Sequence, residues 1–214
     1  MKPIISFDVD GTLVKPDFNE LIWFDVVPKL YARKQKIKLE KARKLIFQEY
    51  DKISENDVRW YTLDFWLDYF NLEVKQEELL QRYAKTVILY PDVIPALDNL
   101  SKRYLLIVCS GMSREFIDIK LKRENIVKYF NHIFSAVSNF SLTKKEPYFY
   151  EKVCRKLNVK PSHLIHIGDN YELDYLIPKK IGIKAFHLDR TNNISKRKEA
   201  IGSLQELTEL IEKM

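Results

Sequence analysis

Apolar residues recur along this chain in two rhythms. Short unbroken runs at 4–7 (Ile4, Ile5, Ser6, Phe7), 105–109, 164–167 and 183–188 have the length of strands. Runs of this kind read as strands buried on both faces, as in parallel sheets. A weaker run at 133–137 is predicted to be a further strand. Between them, apolar residues return every three or four positions, the period of an amphipathic helix. The spacing predicts helices over 17–33, 39–53, 58–70 and 79–88, then from Pro91, from Ser113, and over 148–157, 172–180 and 204–211. Pro28 falls inside the first of these and is expected to kink or divide it. Ser113 is a suitable N-cap, and Pro91 suits a helix start.

From residue 91 onward strands and helices alternate, the signature of a parallel sheet with helices on both faces. No comparable strand signal interrupts 15–90, which is helical and rich in aromatics, among them Trp23, Trp60, Tyr61, Phe65, Trp66 and Phe70. The expected architecture is therefore α/β: a Rossmann-like parallel sheet core formed by 1–14 and 91–214, with a small α-helical domain, 15–90, inserted after the first strand. The aromatics at helical spacing are expected chiefly to pack that insert.

Composition narrows the class. The 214 residues are 46% hydrophobic and 31% charged, a soluble globular balance. No run approaches the roughly 18 uninterrupted apolar residues of a membrane span. The chain enters its first strand at once, so no signal peptide is expected and the compartment is read as cytoplasmic. Cys109 and Cys154 have no metal-type spacing and are read as inert core thiols; His132, His163, His166 and His187 fit no ligand pattern and are read as strand or turn residues. The formal charge of +6 suits an anionic substrate, but the basic residues are spread over helix faces. The basic stretch 190–198 is too short and turn-like to argue for nucleic acid.

The ends of the strands carry the chemistry. The first run stops at Asp8, Val9, Asp10, Gly11 and Thr12; the second at Ser110 and Gly111; the fourth at Gly168 and Asp169. Open α/β sheets place their ligands at the carboxyl edge, and these strands deliver their side chains there. Two carboxylates this close repel unless a cation is shared. Phosphoryl transfer asks for such a grouping, because a carboxylate cannot approach an anionic phosphate ester until cations and donors neutralise the charge. Mg²⁺ with its preference for oxygen ligands suits the site, Asp8 and Asp169 supplying carboxylates. Taken singly, each residue has an ordinary reading as turn, cap or surface; their order at successive strand ends gives the grouping its weight.

The stretch Asp8-Val9-Asp10-Gly11-Thr12 resembles the first motif of the haloacid dehalogenase (HAD) superfamily, and candidates for its three later motifs follow in order over nearly the whole chain. The resemblance implies a nucleophile at Asp8 that forms an aspartyl-phosphate. It implies a general acid/base at Asp10, whose backbone carbonyl also binds metal, and phosphate binding by Ser110 and the Gly111 N–H. The third motif is near Lys-Pro-Asp-Pro; here it reads Lys144-Lys145-Glu146-Pro147, and alignment on Pro147 selects Lys144 over Lys145. In the fourth, Asp169 is the expected metal ligand and Asp174 acts behind it or on Lys144. Ile177 and Pro178 stand where the family usually has Gly-Ala.

The activity expected from the resemblance is a Mg²⁺-dependent phosphatase for a small phosphorylated metabolite, with the insert in the position of the family's cap. Phosphomutases and dehalogenases of the same superfamily are alternatives. Asp10 speaks against dehalogenation, which has no alkoxide leaving group to protonate. From another class, a non-catalytic phospho-aspartate switch would share the sheet and its acidic edge, but would need neither the insert nor Asp10.

Overall fold

The computed structural model describes residues 3–191 and 200–213. Six parallel strands form one sheet: β1 (Ile4–Phe7), β2 (Leu105–Ser110), β3 (Phe130–Ser135), β4 (Leu164–Gly168), β5 (Lys184–Leu188) and β6 (Ala200–Ile201), in the order β3-β2-β1-β4-β5-β6. β1 lies at the centre. Its Phe7 is in register with Val108 of β2 and Ile167 of β4, so the carboxyl ends of all three strands finish together. Alternation along β1 sends Ile5 and Phe7 into one hydrophobic cluster and Ile4 into a second on the opposite face.

Five α-helices fill residues 15–90, between β1 and the helix that precedes β2: α1 (Asp17–Glu20), α2 (Val27–Gln35), α3 (Leu39–Ile53), α4 (Leu63–Tyr69) and α5 (Gln76–Tyr83). Leu21–Val26, between α1 and α2, is π-helical, and the Val27 N–H reaches back to the Ile22 carbonyl. Pro28 has no N–H to give, and this wider turn just before it divides the predicted helix. The aromatics mostly pack, as expected. Trp66 is fully buried against Tyr50 and Phe70, with ring centroids at 4.6 and 5.5 Å. This aromatic core is continuous with the cluster on the Ile5–Phe7 face of the sheet. The chain leaves and re-enters the sheet along adjacent paths: the Lys15 N–H donates to the Ile88 carbonyl, and the Tyr90 N–H to that of Leu13.

The remaining helices are α6 (Val93–Leu100), α7 (Arg114–Arg123), α8 (Ala136–Phe140), α9 (Pro147–Leu157), α10 (Ile177–Lys180) and α11 (Leu204–Glu212). The strand predicted at 133–137 runs instead from Phe130 to Ser135, and Ala136 and Val137 open α8. The Ser135 hydroxyl accepts from the Ser138 N–H, and this local cap ends the strand earlier than hydrophobicity suggested. Ser113 occupies an N-cap position without a capping bond of its own; the Arg114 N–H donates to Ser138 Oγ. The helix predicted over 58–70 is a 3₁₀ turn (Val58–Tyr61) followed by α4. Both cysteines are buried and free. Among the described residues, no helix is long and apolar enough to cross a membrane. Of the basic stretch 190–198, residues 192–198 lie outside the described residues; Arg190 instead braces the first motif, donating to the Thr12 carbonyl at 2.7 Å and to Asp92.

Candidate active site

The common register of β1, β2 and β4 brings their downstream residues to one cleft of about 370 Å³, lined by Asp8, Asp10, Ser110, Gly111, Lys145 and Asp169, among others. The turn after β1 is tight. Gly11 has φ of +72°, and a Cβ there would lie 2.2 Å from a carboxylate oxygen of Asp169. Gly11 thus permits both the left-handed turn and the close approach of the β4 carboxylate to the β1 loop. Ser110, at the end of β2, is buried, and its Oγ accepts from the Met112 N–H at 3.3 Å.

Two lysines line this cleft, and the one that reaches Asp8 is not the one expected. Lys145 is buried, with Nζ 2.7 Å from Asp8 Oδ1, and it also pairs with Asp174. Lys144 faces the insert, where it meets Glu55 at 3.4 Å in an exposed pair. On geometry, the lysine against Asp8 is Lys145 and not the Lys144 expected from the motif. The physical reason is the short extended path into α9. With Pro147 at the first turn of α9 and Glu146 extended before it, neighbouring side chains point to opposite sides, and the inward position is Lys145.

Asp174 lies beneath the cleft and is fully buried. It accepts from the Asn170 N–H at 3.0 Å and contacts His166 Nε2 at 3.0 Å. His166 Nδ1 in turn lies 2.7 Å from Ser6 Oγ. A polar column, Ser6–His166–Asp174–Lys145–Asp8, therefore runs through the otherwise apolar sheet. Gly168 makes room for it, since a Cβ there would stand 2.3 Å from Asp174 Cγ.

The charges in this column are unequally shared. Burial opposes ionisation of Asp174, yet Lys145 and His166 outweigh it and hold the carboxyl far below its ordinary range. Burial also disfavours the Lys145 ammonium, but Asp174 and Asp8 overcome this and raise its pKa. Asp8 is left with the weaker share. Burial, opposed by Lys145 and reinforced by Asp174 and Asp169, pushes it up to about 7. Asp169 opens onto the cleft but is crowded there, and burial together with Asp174 raises it to about 6.

A family model described as haloacid dehalogenase-like hydrolase matches residues 3–182. The chain belongs to the haloacid dehalogenase-like hydrolases. Over 169 residues, 78% of this chain and 73% of the relative, it is 21% identical to the GMP/IMP nucleotidase YrfG of Escherichia coli. A HAD phosphatase from Thermococcus onnurineus superposes with a TM-score of 0.82 at 26% identity, over 99% of this chain and 98% of that one. The 2-haloacid dehalogenase of Pseudomonas syringae shares the fold at a TM-score of 0.67 and 18% identity, over 100% and 99% of the two chains.

Two residues of this HAD hydrolase were not expected at the site. His166, read as a strand residue, does lie in β4, but it also supports Asp174. A lone histidine in an apolar strand run is the available signal, because a fully buried ring nitrogen requires a partner. Lys120, on α7, is fully buried, and its Nζ donates to Asp10 Oδ1 at 2.6 Å and Oδ2 at 2.8 Å. Its signal was position: Lys120 follows Phe116 by four residues and Ile117 by three, which puts it on the buried face of α7.

Asp8, Asp169 and Asp174 bring carboxylate oxygens within 4.8 Å of one another. The bonds of Asp174 to Lys145, His166 and Asn170 commit it, so Asp8 and Asp169 are the carboxylates left for a cation. Their raised pKa values mark an excess of negative charge that a cation would relieve. The donor set is all oxygen and suits a hard divalent ion.

Proposed function

We propose that this HAD hydrolase is a Mg²⁺-dependent phosphatase of small phosphate monoesters, acting through an aspartyl-phosphate on Asp8. The observation that carries this reading is the pair of carboxylates, Asp8 and Asp10, on one cleft, each met by its own buried lysine. Asp8 Oδ attacks phosphorus, and the ester P–O bond breaks as Asp10 gives its proton to the departing alkoxide. Asp10 then takes a proton from water, whose oxygen attacks the aspartyl-phosphate and releases phosphate, restoring Asp8. Lys145 and Ser110, with the Gly111 N–H, hold the charge that develops on the phosphoryl oxygens. Asp8, Asp169 and the Asp10 backbone carbonyl would hold Mg²⁺, which supplies Lewis-acid neutralisation of the phosphoryl group when bound.

Residues 15–90 act in this reading as a cap. Asn19, Glu55 and Tyr61 of the insert line the cleft, and Lys144 bridges to Glu55 at its rim. Trp23 and Trp60, by contrast, stack within the core, so Tyr61 is the aromatic placed to meet a substrate. A cleft of this size, lined on one side by the insert, suits a metabolite better than a folded phosphoprotein. The test is a panel of sugar phosphates, phosphorylated short-chain acids, nucleoside 5′-monophosphates, phosphopeptides and one folded phosphoprotein. Nucleotides belong in it because the E. coli relative is a GMP/IMP nucleotidase. At least one metabolite should exceed the phosphoprotein in kcat/KM by two or more orders of magnitude; equal values would overturn the cap argument. A burst of labelling without turnover would favour the phospho-aspartate switch.

Metal binding should follow the two raised carboxylates. Protons compete with the cation at Asp8 near pH 7 and at Asp169 near pH 6. Affinity for Mg²⁺ therefore rises between pH 5.5 and 7.5, by roughly 10- to 100-fold for one to two displaced protons, and flattens above. Calorimetric titration of the metal-free protein measures this directly; a pH-independent affinity over that range would reject these ligands. EDTA should abolish turnover, and Mg²⁺ should restore it.

A further inference from the structure

We propose that Lys120 is a positioning residue that fixes the Asp10 carboxylate for proton transfer at the leaving group. This rests on the reading of Asp10 as the acid/base. A buried ammonium costs stability unless fully partnered, and an apolar side chain would pack this face of α7 as well. Both hydrogen bonds of Lys120 go to Asp10, one to each oxygen. Two aromatic rings flank it. Nζ lies 5.8 Å from the ring centroids of both Phe18 and Phe116, the first from α1 of the insert and the second from α7 of the core. Trp23 stacks on Phe116 at 5.5 Å and 11°, closing the pocket from the insert side.

Asp10 needs such a support. It leads into the tight turn beyond β1 and is only partly covered, so its carboxylate would otherwise turn freely between rotamers on the cleft side. A general acid must lie within hydrogen-bond reach of the leaving oxygen, and an error of about 1 Å can cost on the order of 10²-fold. Gripping both oxygens fixes the carboxylate plane as well as its position. Because Phe18 belongs to the insert, the packing around Lys120 also ties Asp10 to the element that covers the substrate.

The experiment is a double-mutant cycle between Lys120→Met and Asp10→Asn, read with an alkyl phosphate and with p-nitrophenyl phosphate. Lys120→Met should lower kcat for the alkyl ester by roughly 10²-fold, with KM within about threefold. Read on kcat/KM, which reports phosphoryl transfer to Asp8 and not the later hydrolysis common to both esters, it should affect p-nitrophenyl phosphate far less, since that leaving group hardly needs a proton. In the Asp10→Asn background the same substitution should change kcat by less than about threefold. An equal loss in kcat/KM for both esters, a loss that persists in full without the Asp10 carboxylate, or no loss at all would each overturn the inference. Should Lys120→Met fail to fold, the double variant removes both charges together. Its folding with the residual rate of Asp10→Asn supports the inference, and a further loss of rate or of folding refutes it. Asp10→Asn alone reports on the acid/base reading: if that variant keeps wild-type kcat for the alkyl ester, the acid role itself fails, whatever Lys120 does.

Discussion

Lys145→Met should lower kcat/KM by roughly 10²–10³-fold, while Lys144→Met stays within about threefold of the unaltered enzyme. The contrast follows from burial. Lys145 lies between Asp8 and Asp174 with almost no solvent contact, whereas Lys144 makes an exposed pair with Glu55. An exposed pair of that kind contributes about 0–1 kcal/mol. Removing Lys145 leaves two buried carboxylates without their cation, so stability should fall as well, by about 3–5 kcal/mol. Thermal unfolding with rates normalised to folded protein separates the two effects. Lys145→Arg keeps the charge but cannot fit a fork between two fixed oxygens, and it should recover stability better than turnover. A dead Lys144→Met beside an active Lys145→Met would reverse the assignment.

That motif alignment selects Lys144 while Lys145 lies against Asp8 shows where sequence stops informing. The strand ends were legible because a contiguous run fixes both the strand and its last residue, and parallel register then carries Asp8, Ser110 and Asp169 to one edge. The lysine comes from an irregular segment without periodicity, where a shift of one residue exchanges inside for outside. Alignment on Pro147 selects Lys144 because Lys145 stands where the motif has proline, whereas the geometry puts Lys145 against Asp8. β3 was displaced for a related reason: Ala136 and Val137 are apolar enough for a strand, but the Ser135 cap turns them into α8. Lys120 is the opposite case. Its helical position was visible in the spacing of Phe116, Ile117 and Leu121, yet a lysine among Lys122 and Arg123 reads as surface until the structure shows it buried against Asp10. Long-range polar pairs such as Ser6–His166 and Lys120–Asp10 depend on tertiary placement, which local pattern does not encode.

Asp8→Asn should abolish multiple turnover, by about four orders of magnitude or more, because the amide can neither attack phosphorus nor carry it. The same substitution should stabilise the metal-free protein near pH 7.5. The pKa of Asp8 is raised from its ordinary 3.8 to about 7, chiefly by burial and by the carboxylates of Asp174 and Asp169. A carboxyl whose pKa is raised on folding contributes stability below pH 3.8 that is lost progressively as pH rises to about 7. Above that pH the ionised Asp8 weakens the fold, and asparagine removes the charge while keeping the shape. The expected gain is on the order of 1–3 kcal/mol, or roughly 2–10 °C in Tm for a chain of this size. It should shrink toward zero as pH is lowered to 4, where Asp8 is already neutral, and Mg²⁺ should narrow it at pH 7.5 by stabilising the unaltered protein more than the variant. Paired unfolding curves for the two proteins at pH 4 and pH 7.5, with and without Mg²⁺, provide the measurement. A variant less stable than the parent at pH 7.5 in EDTA would mean that Asp8 is held by Lys145 more strongly than it is opposed by Asp169 and Asp174.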